Sequence, residues 1–398
     1  MKNLTILCAT IFLVGCQTIS IDNWNQKVKS HDIEFPGKFY TKEIKSCSEM
    51  PGNKSYSRDA ISKQVEALVG YDWSADHRAN SNSMNVYHDG ITVPIKVMMT
   101  ATHNAVSKRP CDGFDCIENS NVIEIAKKLL VDMAKANTLH NSIGYYEVKE
   151  KPLCWENNDP AAPCWYHEYQ FAAQWFANYM INAIWLKSEL NDKEFKVVNK
   201  YIKKMYKKFL RPTEFKSQDQ GFYAMANGGT SILIYASWIN DKILAAKEIN
   251  FRFKEMDRLF FDDGYINNNS FRGYRGQWYH SYGLNIALGY IFIADLWGAT
   301  VPKKLHNKLV KASEVANLAI TDWKKFKSRK FNGSNRNKIS NKNNAIKHTH
   351  QMAIALDTLM EIVTGVELEH DPVYLLKRKY HSKDGIDDLI GFNPNCIK

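Results

Sequence analysis

Apolar residues recur at helical spacing along most of the chain, whereas the alternating pattern of β-strands is scarce. Because paired helices with short connections bury their apolar faces against each other, this pattern predicts an all-α fold built from helix hairpins. The hairpins would form a toroid or a solenoid, and no internal repeat is strong enough to name a repeat family. The predicted helices span residues 56–69, 120–137, 166–187, 192–209, 230–249, 285–297, 303–323 and 349–364.

The N-terminus has the order of a secretory signal peptide, with Lys2 before an apolar run over residues 4–14. The sequence Leu-Val-Gly-Cys that ends at Cys16 resembles the bacterial lipobox, in which the cysteine is lipidated and becomes the first mature residue. Gln17 after it favours the outer membrane over the inner one. A plain signal peptide is the alternative. We therefore expect a periplasmic lipoprotein with a signal at 1–15, a lipidated tether and arm at 16–55, and a folded domain at 56–398.

The mature chain is basic, because the formal charge of +11 loses only Lys2 with the signal and becomes +10. Outside the cytoplasm nucleic acid is a poor candidate partner, so an acidic polysaccharide as partner is the leading explanation of the positive charge. The alternative explanation is that the proteins of the organism are generally basic. Residues 326–347 carry much of this charge and contain no acid. They predict a mobile basic loop that either guides a polyanion or is simply solvated.

Six of the eight cysteines remain after Cys8 leaves with the signal and Cys16 is lipidated. An even number in an oxidising compartment suggests up to three disulfides. A zinc site is the competing hypothesis, but the spacings do not match the usual CxxC pairs, so we expect no metal. The expected pairs are Cys111–Cys116, Cys154–Cys164 and Cys47–Cys396.

A cationic and aromatic cluster lies in the stretch FRGYRGQWYHSYGL, from Phe271 to Leu284. Residues 285–297 follow directly and are apolar on nearly every face, which predicts a buried helix. Guanidinium, phenol and imidazole groups at the mouth of a buried helix form a candidate reaction centre. Its members are Arg272, Arg275, Trp278, Tyr279, His280 and Tyr282.

Four amide side chains recur every fourth residue on the predicted helix 166–187, which places them in one stripe. Amides offer both hydrogen-bond donors and acceptors, so the stripe could line a sugar-binding cleft. A solvated helix face is the alternative. The stripe consists of Gln170, Gln174, Asn178 and Asn182.

The stretch FDDGYINNN…RGQWYHSYGL is similar to a motif of the mannuronate-specific alginate lyases, which are α/α-toroid enzymes. Arg275 precedes Tyr282 by seven residues, as the carboxylate-neutralising arginine precedes the catalytic tyrosine in that family. YDWSADHRAN resembles the family's lid loop more weakly and makes Arg78 a substrate-binding candidate. The overlap covers most of residues 56–319, but only the Arg275–Tyr282 segment is specific. The resemblance implies an (α/α) toroid, an incomplete helical barrel, that cleaves a uronate polysaccharide such as alginate by β-elimination.

The residue types suit that reaction. The C5 proton of a uronate becomes removable once its carboxylate is neutralised, and the planar guanidinium of Arg275 matches a carboxylate. Positive charge beside Tyr282 would lower its pKa from the ordinary value of about 10, so that the phenolate serves as base and then as acid. Asn227 would share the carboxylate, and Trp278 and Tyr279 would stack on sugars or pack in the core. No metal and no cofactor is required.

One departure from the family matters. The family's catalytic histidine falls on Gly229, or on Gly228 if the register slips, and neither residue can exchange a proton. Either another histidine replaces it, or Tyr282 performs both proton transfers, or the site is inactive. The candidate replacements are His280, His348 and His350.

Two other functions therefore stay open. A catalytically inactive lyase fold could bind or guide an anionic glycan, in line with the missing histidine. A helical-toroid glycoside hydrolase would need two carboxylates about 6.5–9.5 Å apart, and Asp262 and Asp263 are adjacent in sequence. In each case we expect a monomer that contacts the membrane only through its lipid and that binds an anionic polysaccharide.

Overall fold

A computed structural model describes residues 119–137, 140, 166–211, 214–215, 229–341 and 353–369. This part of the chain is helical and contains no β-strand, which confirms the helical prediction for these residues. None of the described helices is long and apolar enough to cross a membrane. The predicted helix 56–69, the signal and tether and all eight cysteines lie outside the described residues.

The helices agree in type with most of the predicted ones and differ mainly at their ends. A π-helical turn, Tyr206–Leu210, extends the third helix, and 3₁₀ turns occupy Lys187–Glu189 and Asn269–Phe271. The α-helices are α1 (Asn119–Ala136), α2 (Tyr166–Trp185), α3 (Asp192–Met205), α4 (Thr230–Ile239), α5 (Lys242–Leu259), α6 (Gly276–Leu296), α7 (Lys303–Thr321), α8 (Trp323–Ser328) and α9 (Ala353–Thr364).

The helices pack in two sets. Contacts run from α2 to α4, from α4 to α6 and from α6 to α9, while α1 contacts α3 and α5 contacts α7. Chain neighbours α4 and α5, and α6 and α7, also pack against each other. In the first set α4 and α6 are buried on nearly every side, whereas α3 and α7 have exposed polar faces. Helix α6, which carries the candidate reaction centre, therefore lies in the interior layer.

The predicted helix 230–249 is in fact two helices. Asn240 adopts a left-handed conformation with φ 59° and ends α4, as Asn often does at a helix C-terminus. The side chain of Asp241 then caps α5 by accepting a hydrogen bond from the N–H of Leu244 at 2.9 Å. Asn240 thus ends one helix and Asp241 begins the next, whereas the apolar periodicity continues across both residues.

The basic segment is more ordered than predicted. Phe326 lies on α8 and is fully buried, and Ile339 is buried further along the chain. The backbone N–H of Lys338 donates to the carbonyl of Gly273 at 3.0 Å. The prediction of a loop is therefore wrong for residues 326–328, which belong to α8, and Lys338 and Ile339 contact the fold further along the segment. Residues 342–347 lie outside the described part.

Helix α5 carries a buried ionic triad. The guanidinium of Arg252 donates to Glu248 at 2.6 Å and to Glu255 at 2.8 Å, and all three side chains are buried. Removing three charges from water costs free energy that their mutual pairing helps to offset. The carboxylates lie one turn on either side of Arg252, so each depends on the same guanidinium.

We expect Arg252→Met to destabilise the protein by about 3–5 kcal/mol, because the side chain keeps its length while two buried carboxylates lose their partner. Urea unfolding at neutral pH measures the change. The matched control is Arg258→Met on the same helix, since Arg258 is 45% exposed and lies 4.0 Å from Glu255. That control should cost less than about 1 kcal/mol. Equal losses in the two variants would contradict a stabilising role for the triad.

Candidate functional site

The loop between α5 and α6 is pressed against α7. Gly264 has φ +86°, and a Cβ at this position would lie 2.4 Å from the backbone carbonyl of Lys311. Only glycine fits both the conformation and the close approach. The N–H of Phe261 donates to the carbonyl of Tyr265 at 2.8 Å, which closes the turn around Gly264. This contact sets where the following residues, 265–275, approach the start of α6.

A chain of hydrogen bonds passes through His280. The N–H of Ile266 donates to the hydroxyl of Ser270 at 2.7 Å, and that hydroxyl lies 2.9 Å from Nδ1 of His280. Nε2 of His280 lies 3.0 Å from the carbonyl of Ala312. Because a carbonyl only accepts, Nε2 carries the proton and Nδ1 accepts from Ser270. His280 is thus a neutral imidazole that joins the loop, α6 and α7.

The surroundings of His280 oppose its predicted catalytic role. The side chain is fully buried, and both ring nitrogens are engaged by protein groups. Burial lowers its pKa to about 4, although the hydrogen bond to Ala312 acts in the opposite direction. A base that exchanges protons with a substrate must reach it. In this structure His280 is placed to support the loop instead.

Aromatic rings form a ladder along the first turns of α6. Tyr282 stacks on Trp278 with ring centroids 5.1 Å apart and planes 8° apart, and Trp278 meets Tyr279 edge to face at 4.6 Å. The guanidinium of Arg272 lies over the ring of Tyr279 at 4.1 Å. Tyr282 is 7% exposed, while Trp278 and Tyr279 are half-buried. The ladder thus leads from an exposed cation to a largely buried phenol.

Arg275 lies at the N-cap position of α6 and is exposed. Its guanidinium has no ion-pair or hydrogen-bond partner among the described residues. Seven helix residues correspond to nearly two full turns, so Arg275 and Tyr282 lie on nearly the same face, with about 10 Å of helix axis between them. Arg275 is exposed at the surface, and Tyr282 lies further along the same side of the helix and is 7% exposed.

Two of the four amides in the stripe are buried and not solvated. Asn178 and Asn182 are fully buried, and the side chain of Asn182 donates to the carbonyl of Asn178 at 2.6 Å. Gln170 and Gln174 belong to α2, but their side chains lie outside the described part. The same holds for the other predicted site residues, which are Asn227, Arg78, Cys16, His348 and His350.

Position 229, where the resemblance places the family's histidine, is closely packed. A Cβ on Gly229 would lie 3.1 Å from Cε2 of Tyr290 and 3.5 Å from Nε of Arg252. Tyr290 is two turns beyond Tyr282 on α6, and burial raises its pKa, with Glu248 acting in the same direction. Position 229 thus adjoins the ionic triad of α5, and Tyr290 stays a neutral phenol there.

The adjacent acids proposed for a hydrolase are engaged in surface ion pairs. Asp263 accepts from Arg329 at 2.9 Å, and Asp262 lies 3.4 Å from Lys308. Asp262 is exposed and Asp263 is exposed in part. Within the described ranges, no three His, Cys, Asp or Glu side chains are grouped so that they could hold a metal ion. Nothing in this geometry presents two carboxylates across a substrate.

Glu214 titrates near neutral pH. Burial, followed by the negative charges of Glu248 and Asp241, raises its pKa to about 7. The N–H of the next residue, Phe215, donates weakly to Glu248 at 3.4 Å. Because the folded protein binds this proton more tightly than the unfolded chain does, Glu214 contributes stability that decreases as the pH rises from about 4.5 to about 7.

Sequence reasoning missed several residues that build the site. Asn269 donates to the carbonyl of Tyr279 at 3.1 Å, and Asn337 donates to the carbonyl of Ser270 at 2.6 Å. Nothing local in the sequence distinguishes these asparagines from solvated ones. The ionic triad had a visible signal, since Glu248, Arg252 and Glu255 follow the spacing of ion pairs on one helix face.

No protein-family model matches the chain, and a search of curated proteins found no related sequence.

The histidine network predicts a dependence of stability on pH. The pKa of His280 falls from 6.5 to about 4 on folding, so the unfolded chain takes up a proton first, and stability decreases as the pH falls from about 6.5 to about 4. Wild-type protein and His280→Gln are compared by urea unfolding across this range. We expect the stability difference between them to shrink by about 3 kcal/mol at the acid end.

The comparison with the variant removes the opposite contribution of Glu214, because both proteins share that residue. A stability difference that stays constant from pH 6.5 to pH 4 would show that folding does not lower the pKa of His280. It would also contradict the assignment of Nδ1 as an acceptor from Ser270.

Proposed function

We propose that the protein is a periplasmic, lipid-anchored polysaccharide lyase that cleaves a uronate polymer by β-elimination. The observation that carries the proposal is the exposed Arg275, which has no ion-pair or hydrogen-bond partner among the described residues and lies seven residues before Tyr282, on nearly the same face of α6. The aromatic ladder between them offers ring surfaces suited to sugars. The N-terminal signal and lipobox-like sequence support the location, with the outer membrane as the expected site of anchoring.

The reaction uses the two side chains in sequence. Arg275 pairs with the uronate carboxylate, which makes the neighbouring C5 proton more acidic. The phenolate of Tyr282 takes that proton, a double bond forms between C4 and C5, and the glycosidic oxygen leaves from C4. The phenol then donates its proton to the departing oxygen. Such acid–base catalysis contributes about 10²–10⁴ in rate.

A toroid is the architecture that we propose for the helices. Support comes from the contacts of alternate helices, since α2, α4 and α6 form one set while α5 and α7 belong to another. In a toroid of helix hairpins, every second helix faces the centre and contacts its counterparts there. The two most buried helices, α4 and α6, both belong to the central set.

A second candidate function is a lyase-like protein that binds an anionic glycan without cleaving it. Two observations favour it. Gly229 is packed against Tyr290, and both nitrogens of His280 are engaged, so neither position supplies a histidine to a substrate. The lyase proposal then requires Tyr282 to perform both proton transfers or requires a histidine from outside the described residues.

We expect Tyr282→Phe to lower kcat by about 10²–10⁴-fold, because the ring is kept and the proton-transferring hydroxyl is lost. Polymannuronate, polyguluronate and polyglucuronate are incubated with the protein, and the ultraviolet absorbance of the unsaturated product is followed. The control is Tyr290→Phe on the same helix, which should stay near the wild-type rate.

Three outcomes separate the proposals. Cleavage by Tyr282→Phe at the wild-type rate would exclude the mechanism. Reducing ends without absorbance would indicate a hydrolase, and binding without either signal would indicate the glycan-binding protein.

The role of Arg275 is tested with a neutralised substrate. Arg275→Ala should lose on the order of 10²-fold in kcat/KM on the polyuronate. It should lose much less on the methyl ester of the same polymer, since that substrate has no carboxylate charge to neutralise. An equal loss on both substrates would assign Arg275 to general binding or folding and not to the neutralisation of the carboxylate.

A further inference from the structure

Residues 329–341, called the basic strap below, are fixed beside the start of α6. The side chain of Asn337 donates to the carbonyl of Ser270 at 2.6 Å, and the N–H of Lys338 donates to the carbonyl of Gly273 at 3.0 Å. Gly276 permits this approach, because a Cβ there would lie 2.2 Å from Oδ1 of Asn337. The strap is therefore built onto the loop that precedes the candidate reaction centre.

Apolar and cationic contacts also anchor the basic strap. Phe331 packs on Phe271 with ring centroids 4.9 Å apart, and Ile339 is buried in the same small cluster. Arg329 donates to Asp263 at 2.9 Å and lies over the ring of Phe261 at 4.9 Å. The strap is thus anchored at Arg329, at Phe331 and at residues 337–339.

The charge of this region is left largely uncompensated. Residues 323–341 contain five lysines and two arginines and no acid. Arg329 is paired with Asp263, and Lys327 lies over the ring of Trp323 at 5.7 Å. The other five cations are exposed, and they are Lys324, Lys325, Lys330, Arg336 and Lys338. Like charges held close together on a fixed backbone attract a polyanion strongly.

The strap brings Arg336 and Lys338 to the candidate reaction centre. Gly273 and Asn337 form a parallel β-bridge, which places their two backbones about 4.8 Å apart. The residues next to Asn337 are Arg336 and Lys338, and those next to Gly273 are Arg272 and Tyr274. Tyr274 is 69% exposed, so an aromatic surface lies within the cationic area. Arg275 follows directly.

We propose that the basic strap and residues 272–275 form one binding surface for a linear anionic polysaccharide, which extends the site of the proposed function beyond the sugar that reacts. The inference rests on that proposed function for the class of polymer. Several carboxylates of one chain would pair with Lys330, Arg336 and Lys338 while the reacting unit lies at Arg275. Such a surface favours long substrates over short ones.

The test uses the full chain with Lys330, Arg336 and Lys338 all changed to Gln. Binding of long polymannuronate and of its trisaccharide is measured by affinity electrophoresis or fluorescence at several salt concentrations. We expect the variant to bind the long polymer about tenfold or more weakly at low salt, with a smaller salt dependence, because fewer counterions are released. Binding of the trisaccharide should not change.

The matched control changes three exposed lysines of α3, Lys193, Lys196 and Lys200, to Gln, which removes the same net charge elsewhere. Similar losses in both variants would overturn the proposal, since net charge alone would then explain binding. Tighter binding of a single-stranded oligonucleotide than of the polysaccharide would also overturn it. Circular dichroism checks that both variants are folded.

Binding and cleavage are scored separately. If no unsaturated product forms but polymer binding still depends on the three strap residues, the lyase proposal fails and the binding surface stands. If cleavage occurs and its KM for long polymer is unchanged in the strap variant, the surface fails and the lyase proposal stands.

Discussion

The hydrogen-bonded chain from Ile266 through Ser270 and His280 to Ala312 holds the candidate site together. It joins the loop after α5, the buried helix α6 and the outer helix α7 through one neutral imidazole. A buried imidazole with both nitrogens satisfied has one workable tautomer and one orientation. The positions of Arg272 and Arg275, at the end of the loop, follow from that constraint.

The site combines buried, hydrogen-bonded side chains with exposed cationic ones. Buried amides support the site through backbone carbonyls. The side chain of Asn269 donates to the carbonyl of Tyr279, and that of Asn337 donates to the carbonyl of Ser270. Above them the guanidinium of Arg275 is exposed, and its neighbours carry charge of the same sign. Buried hydrogen bonds therefore stabilise an arrangement of cations that would otherwise repel one another, and such preorganisation reduces the cost of binding an anion.

Local periodicity was enough to predict the amphipathic helices. Helices α1, α3 and α7 start within a residue of their predicted positions, since their apolar faces repeat at helical spacing. The start of α6 was missed by nine residues, because the sequence from Gly276 to Tyr282 is small, polar or aromatic and has no apolar stripe. The break at Asn240 was visible as an Asn-Asp pair, but apolar residues continue on both sides of it.

Sequence reasoning named candidate residues for the site but could not give the contacts that surround them. Arg275 and Tyr282 were named from the resemblance to a family motif, and their separation along α6 follows from their spacing. The role of His280 did not emerge, because it depends on Ser270 and on Ala312, which is 32 residues away. The docking of Asn337 depends on equally distant contacts that no local pattern encodes.

The packing of Gly229 against Tyr290 limits how a sequence of this kind could change. A Cβ at position 229 would lie 3.1 Å from the tyrosine ring, so a histidine there requires the ring to shift. A smaller residue at position 290 would make room for that side chain but would leave a cavity in the core. The glycine and the tyrosine are thus coupled, and a change at one position is tolerated best with a matching change at the other.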